Sequence, residues 1–123
     1  MRILVASALA PDHPKMRRAG AAYPPLATLV LASVLRKSGY RVCVFDATPA
    51  SGPEAFAEAL GHSCPDAVVL YDDHLHYAST MCPLRMRDAA CRMLEEAARR
   101  GLPAFTGSAN AADCPEPHWQ ADA

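Results

Sequence analysis

A chain of 123 residues has room for one domain, since single domains run about 100 to 150 residues. Apolar residues make up 51% and charged residues 20% of it, which is the balance of a globular protein able to bury a core and excludes a mostly disordered chain. With 12 Lys and Arg against 13 Asp and Glu, the formal net charge is −1, so neither nucleic acid nor an anionic membrane is expected as a partner.

The first element, Arg2 to Ser7, is an unbroken apolar run, the pattern of a strand covered on both faces, as in a parallel sheet. Pro11, Asp12 and His13 end it before a signal-peptide core or a spanning helix could form, so a cytoplasmic protein is expected. From Leu26 to Lys37 the apolar Leu26, Leu29, Val30 and Val34, with Ser33 among them, recur at helical spacing. Pro24 and Pro25 precede this helix and Ser38-Gly39 stops it, as proline and glycine do at the two ends of a helix. Tyr40 to Phe45 is β-rich and closes on Asp46, which completes a strand, helix, strand unit with an expected right-handed crossover.

A turn from Thr48 to Pro53 leads to a short helix over Glu54 to His62, with Phe56, Ala57 and Leu60 on one face. Ala67-Val68-Val69-Leu70-Tyr71 follows as the clearest apolar strand, closed by Asp72-Asp73 and a polar loop, His74 to Thr80. The longest helix spans Leu84 to Arg100, with Leu84, Met86, Ala90, Met93, Leu94 and Ala97 at three- and four-residue spacing and Gly101 as its stop. Leu102 to Thr106 forms the fourth strand, and Gly107-Ser108 opens the next loop. Strands alternating with helices define an α/β fold, a doubly wound parallel sheet in flavodoxin-like (Rossmann-like) order. No strand or helix signal follows Trp119, so the fold reads as truncated after its fourth strand, and an exposed hydrophobic edge is expected there.

In such sheets ligands lie beyond the carboxyl ends of the strands. That rule selects Ser7 to Tyr23, Asp46 to Pro53, Asp72 to Thr80 and Gly107 to Asp113. The first of these runs to about 15 residues, well beyond an ordinary βα loop, and carries Lys15, Arg17 and Arg18. Neither GxGxxG nor GxxxxGK[ST] follows the first strand, which disfavours a dinucleotide fold or an NTPase. A phospho-receiver domain is disfavoured too, because Asp72 and Asp73 meet only one of its requirements. His74, His76 and Cys82 lack an evident fourth ligand, so no metal site is expected. The five cysteines, Cys43, Cys64, Cys82, Cys91 and Cys114, have no CxxC or CxxxCxxC spacing and read as free, mostly buried thiols.

Tyr23-Pro24-Pro25-Leu26, then Leu35-Arg36-Lys37-Ser38-Gly39-Tyr40-Arg41-Val42 and Phe45-Asp46-Ala47, resemble the cobalamin (vitamin B12)-binding N-terminal domains of cobalamin-dependent radical-SAM proteins. The stretch Tyr71 to Tyr77 through Met81-Cys82 and Arg85 to Ala90 resembles a subgroup of that family, and Gly107-Ser108-Ala109 with Asp113 and Pro115-Glu116 sits where the family has its loop after the fourth strand, so the likeness covers nearly all of residues 1–123. It implies that cobalamin lies against the carboxyl edge of the sheet, touched by the loops after the first, third and fourth strands. The positions it marks for cofactor binding are Ser7, Ala8, Leu9, Tyr23, Pro24, Asp72, Asp73, His74, Gly107, Ser108 and Ala109. Asp12-His13 does not match the DxHxxG motif of the other cobalamin-binding class, so no histidine ligand to cobalt is expected.

In that family a radical-SAM domain, in cis or in trans, carries the [4Fe-4S] cluster and S-adenosylmethionine. This chain has no CxxxCxxC motif, so no catalytic residue is expected in it, and its role would be to present cobalamin for methyl transfer or related radical chemistry in the full-length protein. The alternative is a degenerate flavodoxin-like domain with a structural or protein-interaction role and no bound cofactor.

Overall fold

The computed structural model describes residues 1–8, 25–47, 53–71 and 83–107, with backbone alone at residues 53 and 83–86. In chain order the elements are β1 (Arg2–Ala6), α1 (Leu26–Lys37), β2 (Arg41–Phe45), α2 (Pro53–Ser63), β3 (Ala67–Tyr71), α3 (Pro83–Arg99) and β4 (Ala104–Gly107). The four strands form one all-parallel sheet in the order β2-β1-β3-β4. This is the flavodoxin-like α/β arrangement expected from the sequence. Most element ends fall within a residue or two of the sequence reading. Gly107 changes class, because it is the last residue of β4, opposite Tyr71, and not the first of a loop.

Strand alternation divides the core in two. On one face Leu4, Ala6, Val68 and Leu70 pack against Phe56 and Leu60 of α2 and Ala90, Leu94 and Ala97 of α3. The rings of Phe45 and Phe56 meet edge to face, with centroids 5.4 Å apart, a favoured aromatic geometry. On the other face Ile3 and Val5 pack against Ala32, with Leu31, Leu35, Val42, Val44 and Val69 around them. The stripe that periodicity picks out on α1 is not the one that turns inward. Leu26, Leu29, Val30 and Val34 are exposed, while Thr28 and Ala32 are buried. Apolar residues surround α1 on nearly every side, so its period marks a helix without marking which face meets the sheet.

The helix ends show why each chain reversal occurs where it does. After α1, Tyr40 donates to the Leu35 carbonyl and Gly39 to that of Arg36. After α3, Leu102 donates to Ala97 and Gly101 to Ala98. Both are the paired closure of a helix by a left-handed residue, supplied by Gly39 (φ 93°) and Gly101 (φ 69°). After α2 the same position holds Cys64 at φ 42°, whose amide bonds to the Leu60 carbonyl. Glycine suits this conformation better than any residue with a Cβ. At the amino edge, Arg2 donates to the Ser63 carbonyl at 2.6 Å and its amide to the Asp66 carboxylate at 2.6 Å, which fixes β1 to the α2–β3 turn.

Candidate functional site at the carboxyl edge of the sheet

The parallel register aligns the strand ends. Ala6 stands opposite both Phe45 and Leu70, and Tyr71 opposite Gly107, so all four strands exit along one edge. The chain leaves β1 toward α1 on one face, and it leaves β3 toward α3 on the other. The switch point of the sheet therefore lies between β1 and β3, the place at which open α/β sheets take their ligands.

Small side chains form the floor of this edge. Ala6, Ser7, Ala8 and Ala47 are all buried, and Gly107 carries no side chain at all. A Cβ at Gly107 would lie 3.5 Å from the Tyr71 ring, an ordinary contact, so the ring and the strand end already fit closely. Two buried hydroxyls hold the frame. Ser7 Oγ accepts from the Ala47 amide at 3.2 Å, while the Ser7 amide donates to the Phe45 carbonyl at 3.1 Å, which extends the β1–β2 ladder past its last strand residues. Thr28, in the first turn of α1, donates from Oγ1 to the Tyr71 carbonyl at 3.3 Å.

Of the positions expected to bind a cofactor, the structure places Ser7, Ala8 and Gly107 together at this edge. Ser7 is 4% and Ala8 5% exposed, so both belong to the floor and not to a reaching loop. Leu9, Tyr23, Pro24, Asp72, Asp73, His74, Ser108 and Ala109 lie outside the described residues, as do Lys15, Arg17, Arg18, His76 and Cys82. Sequence reasoning placed Ala47 in a selected segment, Asp46 to Pro53, without singling it out, and it missed Thr28 and Tyr71 as members of this edge. The signal for Tyr71 and Ala47 was their place at or just after a strand end. Nothing in the spacing marked Thr28, whose role comes from a contact 43 residues away in the chain.

Among the described residues no three His, Cys, Asp or Glu side chains gather as metal ligands would. The described cysteines are free, but they are not the buried thiols the sequence suggested. Cys64 is exposed, and Cys43 and Cys91 are half-buried. Cys64 stands outside the core because it caps α2 in a left-handed turn. Partial burial raises the pKa of the Cys91 thiol, with Glu95 and Asp88 adding to the rise and Arg87 opposing it, so Cys91 is a poor nucleophile at neutral pH.

No family model, curated protein or solved structure matches the chain. Among the described residues no helix is long and apolar enough to cross a membrane.

Proposed function

We propose that the chain is a cobalamin-binding module that works with a radical-SAM domain, supplied in cis or in trans. The observation that carries this reading is the small-residue floor of Ala6, Ala8, Ala47 and Gly107 at the β1–β3 switch point. A flat, largely apolar macrocycle packs best where strand ends carry small side chains, and Ala6, Ala8 and Ala47 are the buried small residues at these ends. The one described histidine, His62, lies at the end of α2 with Nδ1 2.9 Å from the Glu58 carbonyl, away from the strand exits. A corrin on this floor would thus be held by shape and by loop contacts, without a described histidine on its cobalt. Ser7 would hold the floor in place through its bond with Ala47, and Tyr71 would flank it. Bound cobalamin would supply a transferable methyl group or related radical chemistry.

The test is to mix purified protein with hydroxocobalamin, desalt it and record the visible spectrum. Retained corrin absorbance is the expected result, and a spectrum with no corrin band would overturn the reading. A double change of Asp72 and Asp73 to Ala is expected to weaken retention, and unaltered retention would remove that pair from the site.

A second reading is favoured by a different observation. Leu26, Leu29, Val30 and Val34 on α1 and Phe105 on β4 are each 42–65% exposed, and large exposed apolar surface often marks a contact with another protein layer. A structural or interaction domain without a cofactor would show such a surface and fail the hydroxocobalamin test.

A further inference from the structure

In the order β2-β1-β3-β4 the outer edges of the sheet belong to β2 and β4, and the two are finished differently. Along β2 the Arg41 amide bonds to the Met1 carbonyl and the Phe45 carbonyl to the Ser7 amide. Arg41, Cys43 and Phe45 therefore turn their backbone groups to β1, and those of Val42 and Val44 face outward. Arg36 of α1 closes that row by donating from its guanidinium to the Val42 carbonyl at 3.0 Å, and a charged side chain on an edge discourages further pairing. Along β4 the Pro103 carbonyl accepts from the Val68 amide. Phe105 therefore turns its backbone groups to β3, and the amides and carbonyls of Ala104 and Thr106 face outward. The strand, Ala-Phe-Thr-Gly, carries no charge, and no side chain among the described residues bonds to its outer row. The Phe105 ring, on the face of α1 and in register with Val69, is 59% exposed.

This edge is complementary to itself. With two copies of β4 antiparallel about a twofold axis at Phe105, Ala104 of each stands opposite Thr106 of the other as a hydrogen-bonded pair, and the two Phe105 residues form the closer, non-hydrogen-bonded pair. Every outward amide and carbonyl then has a partner, and the exposed rings cover each other as a stabilising aromatic cross-strand pair. Charge on α3 follows the same symmetry. Arg100, one residue past that helix, reaches α2, its guanidinium 4.0 Å from the place a Gly61 Cβ would take. At 3.6 residues per turn, Asp88, Glu95 and Arg99 then fall on the side of α3 away from α2, toward the β4 edge, and all three are exposed. Arg99, which also pairs with Glu96 at 2.9 Å, keeps 73% of its side chain exposed. Along this side the acidic residues come first and the basic one last, so antiparallel copies bring the basic end of one toward the acidic stretch of the other.

We infer that the outer edge of β4 is a docking surface for a second copy of this chain, joining the two sheets into one across a twofold axis at Phe105. A patch that meets itself in this way closes a symmetric dimer. The guarded edge of β2 stops the sheet from growing in the other direction. The pairing does not require cobalamin, so it and the cofactor reading can fail separately.

The test follows the mass of the full chain in solution by light scattering over a wide range of concentration. Wild type is expected to form a concentration-dependent dimer, and a monomer at every concentration would overturn the inference. Thr106→Pro removes an outward amide that β3 does not use, as proline does on an edge strand. It is expected to keep the circular dichroism of the fold and to weaken dimerisation by about tenfold or more, while Thr106→Val, which keeps the amide, leaves the dimer intact. Dimerisation of a folded Thr106→Pro at wild-type strength would overturn the assignment to this edge. A charge swap tests the register. Phe105→Lys and Phe105→Glu should each be monomeric, because like charges meet on the axis, and an equimolar mixture should dimerise. A mixture that associates no better than its components would overturn the pairing of Phe105 with its counterpart. If Thr106→Pro fails to fold, the charge swap makes the same decision with the outward amides in place.

Discussion

On one face of the sheet α2 and α3 bury Phe56, Leu60, Ala90, Leu94 and Ala97 and turn Glu58, Asp88, Arg92 and Glu95 to solvent. On the other face α1 buries Thr28 and Ala32 and exposes Leu26, Leu29, Val30 and Val34. The first face is a finished layer, in which each helix has one apolar stripe and one charged side. Among the described residues the second has one helix, with apolar residues on both sides, the composition of a helix held between two layers. Beyond it Phe105 stands 59% exposed on β4, in register with Val69. Fold stability should therefore reside mainly on the α2–α3 face, and the outer side of α1 should contribute little to it.

Mutations can break or sharpen this contrast. The largest expected effect is Leu94→Ala, which empties a fully buried site on the finished face and should cost about 3 kcal/mol, read as a shift in the urea midpoint. On the α1 face, Ile3→Val removes one methylene from a residue packed against Ala32 and should cost about 1 kcal/mol. An equal cost for both would mean that the two faces carry the fold alike. The pair Val30→Gln and Val34→Gln on the outer side of α1 should change stability by no more than about 0.5 kcal/mol while raising solubility. A loss comparable to Leu94→Ala would show that this surface is buried in solution.

The smallest effect concerns Cys91 on α3. Its thiol pKa is raised by burial, so the folded state holds the proton more tightly than the unfolded state does. Between the unfolded and folded pKa values the native form binds more protons, and stability must fall as pH rises. A slight loss above about pH 8.5 is expected, since that is where an unperturbed thiol ionises, and Cys91→Ala should abolish it. Iodoacetamide near pH 8 is expected to modify the exposed Cys64 before Cys91. The reverse order would contradict the shielding of Cys91 by α3.

The contrast between the faces also explains which features could be read from the sequence. In α2 and α3 the larger apolar residues recur against charged ones, so their period identified the helix and most of the buried face: Phe56, Leu60, Ala90, Leu94 and Ala97 are buried, while Ala57 and Met93 are half-buried. In α1 the same reasoning found the helix, but the stripe at helical spacing, Leu26, Leu29, Val30 and Val34, is exposed. The strand ends were legible enough to place Ser7, Ala8 and Gly107 at one edge. Thr28 was not legible, because a threonine in the first turn of a helix has no periodicity that distinguishes a core hydroxyl from a solvent-facing one.

By itself the sequence determined the order of strands and helices, the parallel sheet that continuous apolar strands demand, and the glycines that end α1 and α3. Each of these depends on neighbours within a few residues of one another. Tertiary structure alone decided the side of α1 that faces the sheet, the left-handed cap at Cys64, and the union of Thr28 with Tyr71 and of Ser7 with Ala47 at one edge of the sheet. The last two outcomes depend on pairs 43 and 40 residues apart, whose meeting is fixed by strand order and register.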